Sequence, residues 1–109
     1  MRYVLMSCVF SGLLAATVYG QGVPVQRITG VVVDKASHQP LPGANVFIHV
    51  GTDVLGTASD VDGRFSLERV PVGRHHVQCT FQGYLPWISG YLEVTSTKQL
   101  GITIELEES

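Results

Sequence analysis

The strongest constraint in this sequence is a two-residue beat of apolar side chains. Near the C-terminus Leu100, Ile102, Ile104 and Leu106 alternate with Gly101, Thr103, Glu105 and Glu107. Alternation of this kind lays every apolar side chain on one face of an extended strand. The same beat runs through Ala44, Val46, Ile48 and Val50, and again through His75, Val77, Cys79 and Phe81. Shorter strands are expected at Ile28 to Asp34, Val54 to Ser59 and Phe65 to Leu67, with a weaker one within Pro86 to Val94. Nothing after Gln21 keeps a helical period for three turns. Between the strands stand Pro40-Leu41-Pro42-Gly43, Asp62-Gly63, Pro71-Val72-Gly73 and Ser96-Thr97-Lys98, residues that interrupt a ladder or turn a chain. Seven short strands punctuated this way predict an all-β antiparallel sandwich.

The first twenty residues read differently. Met1 and Arg2 precede an apolar stretch from Tyr3 to Val18, broken by Ser7, Ser11, Gly12 and Thr17. A spanning helix needs about 20 predominantly apolar residues, so residues 1–20 read as a secretory signal peptide cut before Gln21. Leu5-Met6-Ser7-Cys8 is only faintly similar to a lipoprotein signal, because too few residues precede Cys8 and the apolar run continues past it. Residues 21–26 read as a loose leader and residues 27–107 as one domain. Without Cys8 the chain keeps Cys79 alone, which allows no internal disulfide and favours a buried apolar thiol.

Composition narrows the function. Past the leader, six Lys and Arg face nine Asp and Glu, the wrong balance for a nucleic-acid platform. A chain of 109 residues fills one small core, too little for a multi-domain enzyme. The leader implies export, with no transmembrane segment in the mature chain.

Several blocks together are similar to a known family. Ile28-Thr29-Gly30-Val31-Val32-Val33-Asp34 is followed by Pro40-Leu41-Pro42-Gly43-Ala44-Asn45-Val46. Then come Gly56-Thr57, Asp60-Val61-Asp62-Gly63-Arg64-Phe65, Val70-Pro71-Val72-Gly73 and Phe81-Gln82-Gly83-Tyr84. In this order, over about Arg27 to Leu106, they resemble the carboxypeptidase regulatory-like domain. The resemblance implies a transthyretin-like, seven-stranded Greek-key sandwich without a catalytic centre. It also implies a setting, because such domains often stand in front of TonB-dependent outer-membrane receptors, including glycan importers. The implied role is protein–protein interaction in the cell envelope, with an adjoining receptor domain or another envelope protein as partner. The rival reading is a free-standing extracellular carbohydrate-binding module.

Candidate sites are few. Asp60, Asp62 and Gly63 are similar to part of a calcium loop, but Arg64 and a distant Glu68 fit a hydrogen-bonded turn better. His75 and His76 are adjacent and point to opposite faces of a strand, and His38 and His49 stand apart, so no metal site is expected. Ser59, Ser66, Ser89 and Ser96 sit in no nucleophile motif, and no glycine-rich loop opens a helix. No catalytic residue and no cofactor is expected. Trp87 and Tyr91 are the candidate ligand or partner surface, with Tyr84 assigned to the fold. Glu105, Glu107 and Glu108 read as a solvated face that blunts an edge, or as an edge that docks by strand addition.

Overall fold

The computed structural model describes residues 23–109. The leader assigned to residues 1–20, with Cys8, lies outside them. The described residues form nine strands and no helix: β1 (Val25–Asp34), β2 (Asn45–Val50), β3 (Asp53–Ala58), β4 (Arg64–Pro71), β5 (Gly73–His75), β6 (Gln78–Thr80), β7 (Trp87–Ile88), β8 (Leu92–Val94) and β9 (Leu100–Leu106). One sheet has the order β4-β1-β9, a second β3-β2-β6-β7, and β5 pairs with β8 in a short third.

The apolar beat becomes the core. Ile28 and Val32 of β1, Val46 and Ile48 of β2, Phe65 and Leu67 of β4, Cys79 of β6 and Ile104 and Leu106 of β9 are all buried between the sheets. Each fully buried aliphatic side chain contributes roughly 1.5–3 kcal/mol. The ion pairs, such as Arg27–Glu68 and Arg74–Glu93, lie on exposed side chains where water screens them. Core burial therefore holds the layers together.

Five of the six ladders are antiparallel, but β1 and β9 run parallel, from Ile28 opposite Leu100 to Asp34 opposite Leu106. These strands are the first and last among the described residues. No hairpin joins them, so turn geometry places no demand on their direction. β1 also begins at Val25, inside the stretch read as a leader, and Pro24 is tied down by accepting the Val72 amide at 3.1 Å.

Nine strands replace seven because two of the expected strands bend. The run from His75 to Phe81 breaks at His76-Val77, where β5 leaves to pair with β8 while β6 stays on β2. Facing the break, the Ser89 hydroxyl accepts the Val77 amide at 2.9 Å and the Ser89 amide donates to the Val77 carbonyl at 2.8 Å. A hydroxyl thus substitutes for a ladder partner where the strand changes sheets. Residues 86–94 split opposite it into β7 and β8.

β4 runs longer than the alternation suggests. Its parity slips between Leu67 and Val70, both buried, because Arg27 of β1 faces two residues, Glu68 and Arg69. Arg69 takes the left-handed φ of 59° that this bulge demands. The Pro40–Gly43 loop is fixed by Ser59, whose hydroxyl donates to the Leu41 carbonyl at 2.6 Å and accepts the Ala44 amide at 2.8 Å. At the next turn Gly63 has φ 76°, and a Cβ there would come within 2.6 Å of the Val32 carbonyl oxygen.

Gly30 lies at the centre of β1, between Phe65 and Ile102. A Cβ at this position would meet the Ile102 carbonyl oxygen at 2.1 Å and the Phe65 ring at 2.8 Å. Gly30→Ala is therefore expected to cost roughly 1–3 kcal/mol in urea denaturation, with part of the loss from forced strand displacement. Gly90→Ala, where nothing stands within 4 Å, should stay within about 0.5 kcal/mol of the parent.

Candidate functional site

One side of the sandwich is closed by residues 107–109. Past β9, the Glu107 carbonyl accepts the Leu85 amide at 2.8 Å, and the Ser109 amide donates to the Gly83 carbonyl at 3.0 Å. Tyr84 and Glu108 form an antiparallel bridge between these segments. This brings Tyr84 to the end of β1, where its hydroxyl donates to Asp34 at 2.6 Å. The other Asp34 oxygen accepts the Ala36 and Ser37 amides at 2.8 and 2.9 Å. Asp34 and Ser59 are the buried polar residues among the described ones, and both Asp34 carboxylate oxygens are used to hold a turn and a loop.

The pair shifts both groups. The Tyr84 hydroxyl bond, helped by the Ser37 amide, holds the Asp34 carboxyl below its ordinary range despite burial. The same hydrogen bond, followed by burial and the Asp34 charge, pushes Tyr84 up to about 12.

Beyond Leu85 the chain departs to form β7, where Trp87 pairs with Cys79 of the other sheet. A cleft of about 480 Å³ opens between β7 and β9, lined by Lys35, Leu85, Pro86, Trp87, Glu105 and Glu107, together with Thr103. Trp87 is half-buried against the core. Lys35 and Glu107 approach to 3.7 Å beside this cleft, and His38 approaches Glu105 to the same distance.

Tyr91 stands elsewhere. It is 63% exposed in the bend between β7 and β8, with the His76 ring 4.0 Å from its own and the Arg74 guanidinium carbon 4.5 Å from its centroid. Its cleft is shared with His49, His75, Gln78 and Ile88 and does not include Trp87. The two aromatic residues grouped by the sequence thus line separate clefts. Their nearness in sequence hid the change of sheet at Ser89-Gly90.

The remaining candidates are engaged in structure. The Asp60 carboxylate accepts the Asp62 and Arg64 amides, both at 2.9 Å, within its own turn. His75 Nε2 lies 2.7 Å from the Pro71 carbonyl and His76 Nδ1 lies 2.8 Å from the Ser89 carbonyl. Cys79 is fully buried, and burial pushes its thiol up to about 11, away from reactivity. Among the described residues no three His, Cys, Asp or Glu side chains come together as metal ligands. What the sequence did not reveal was the cleft beside β9, since its walls come from residues 35, 85–87 and 103–107.

The Asp34–Tyr84 pair makes a signed prediction. The lowered Asp34 value means its contribution is complete above about pH 3.8 and lost as pH falls through the folded value. The raised Tyr84 value means its contribution is complete below about pH 10 and lost as pH climbs towards 12. Urea midpoints measured from pH 2 to 12 should show a plateau with both limbs, and Tyr84→Phe should lower the plateau and flatten the alkaline limb. Parallel curves for parent and variant would refute the assignment.

The comparisons agree with this architecture. The carboxypeptidase regulatory-like domain model matches residues 27–107. Among solved structures, a chain of a type II cohesin–X-dockerin complex from Acetivibrio cellulolyticus superposes with a TM-score of 0.60 at 26% identity, over 76% of this chain and 58% of that one. A putative carbohydrate-binding protein from Bacteroides uniformis superposes at 0.62 with 12% identity, over 76% and 41%. GBS52, the minor pilin of Streptococcus agalactiae, superposes at 0.61 with 15% identity, over 80% and 46%. This chain spans less than two thirds of each of them, and the likenesses bear on fold. No curated protein matches it in sequence. Among the described residues no helix is long and apolar enough to cross a membrane. The family match over most of the chain, and the sandwich it runs through, place this protein in the carboxypeptidase regulatory-like domain family.

Proposed function

We propose that the chain is a non-catalytic, exported interaction module of the cell envelope, standing as the accessory front domain of a TonB-dependent outer-membrane nutrient receptor. One observation carries the non-catalytic part. The polar groups that could have formed a reactive centre are spent on architecture, with Asp34 on Tyr84, Ser59 on the Pro40–Gly43 loop and the two histidines on backbone carbonyls. What remains open is strand edge and shallow cleft, the equipment of recognition. The family resemblance supports the receptor setting, and the likeness to a chain of a cohesin–X-dockerin assembly suits a protein-binding role. The genomic reading frame that encodes Ser109 is expected to continue into a plug and a barrel. A stop codon there, with no such sequence nearby, would count decisively against the receptor setting.

A second reading has its own observation. Tyr91 is exposed beside Ile88, with Arg74, His49 and Gln78 around it, a flat ring among polar groups of the kind on which sugars stack. The carbohydrate-binding description of the Bacteroides uniformis neighbour adds to this reading. Titration calorimetry against a panel of oligosaccharides should then give binding that Tyr91→Ala removes and Trp87→Ala leaves intact. No heat from any sugar in the panel would dispose of this reading.

A further inference from the structure

We infer that the free edge of β9 is a docking site for an extended segment of another protein, alternating basic and apolar residues, which adds to the sheet as a fourth strand. This deepens the interaction-module reading above and rests on it.

The edge is identified by two hydrogen bonds. The Leu106 carbonyl accepts the Lys35 amide at 2.8 Å, on the β1 side. The next carbonyl, Glu107, accepts the Leu85 amide at 2.8 Å on the opposite side. Backbone groups alternate in direction along a strand, so the N–H and C=O groups of Gly101, Thr103 and Glu105 face the same way as Glu107, away from β1. β9 closes the sheet order, and no other named strand pairs with it. Unpaired groups in such a row are a template for another strand.

The chain itself starts to fill this position and then abandons it. Residues 83–85 pair with 107–109, and continuing that register would set Trp87 opposite Glu105. Pro86 intervenes without a donor, and Trp87 pairs with Cys79 instead. The cleft between β7 and β9 is the gap this departure leaves. An incoming strand would continue the rungs begun by Leu85.

Side chains along the gap specify the occupant. On one side lie Trp87 and Leu85, the latter 47% exposed, which suits apolar residues at alternate positions. On the other lie Glu105 and Glu107, whose side chains are still 46% and 64% exposed beside His38 and Lys35 and suit Lys or Arg at the positions between. A second copy of this chain would bring the same acidic residues to the seam, where like charges repel.

The probe is a fluorescein-labelled octapeptide of alternating Val and Lys, titrated into the full chain. Fluorescence anisotropy reports binding, and a parallel titration with unlabelled peptide reads the emission of the single tryptophan, Trp87. Saturable binding with a change in Trp87 emission is expected. Glu105→Lys should weaken it by about tenfold or more. Methylating the peptide amides on alternate residues should abolish binding in one of the two phasings, because strand addition needs those donors. Thr103→Pro should abolish it too, with circular dichroism checking the fold. No binding, or binding unaffected by Glu105→Lys and by both methylation patterns, would overturn the proposal. Self-association that Thr103→Pro abolishes would do the same, assigning the edge to a second copy. These outcomes are independent of the reading frame beyond Ser109, so the edge and the receptor setting can fail separately.

Discussion

The whole molecule depends on β1 being flanked on both sides. β4 lies antiparallel along one edge from Val25 to Val31 and β9 parallel along the other from Ile28 to Asp34. Where β4 ends, the Val32 and Asp34 amides of β1 donate to the Gly63 and Gln39 carbonyls. Its inner face gives Ile28 and Val32 to the core and ends at Asp34, which fastens the following turn and the Tyr84 loop. Gly30 is the necessary gap in that face, because the Phe65 ring and the Ile102 carbonyl already occupy the space a side chain would take. Strand pairing, core and loop closure therefore converge on ten consecutive residues.

Much of this was legible in the sequence where a local rule governs the outcome. The alternation in β2 and β9 marks buried and exposed residues because side-chain direction in a strand has a strict period of two. The Asp60–Gly63 turn was readable for the same reason, since an aspartate can satisfy amides two and four residues onward. The failures occur where distant residues decide. Ser89 bends the His75–Phe81 run from twelve residues away, and the bulge at Arg69 appears only against Arg27 of β1. The parallel direction of β9 has no local signature at all.

The candidate site divides along the same line. Tyr84 was assigned to the fold from its sequence block, and its partner Asp34 closes another of those blocks, fifty positions away. Trp87 and Tyr91 looked like one platform because four positions separate them. The backbone between them passes from one sheet to another, and the rings face different clefts. Acidic residues on β9 were visible as a pattern, but that they border a groove beside Trp87 follows only from where the chain leaves the sheet at Pro86.

The parallel pairing of the first and last strands sets how the domain bears tension. Tension drawn through the two ends pulls β1 and β9 along their length in opposite directions, so the rungs from Ile28–Leu100 to Asp34–Leu106 are loaded together in shear. An antiparallel arrangement of the same strands would open like a zipper, one rung at a time. Pairing of this kind resists such a pull with all its rungs at once rather than in turn.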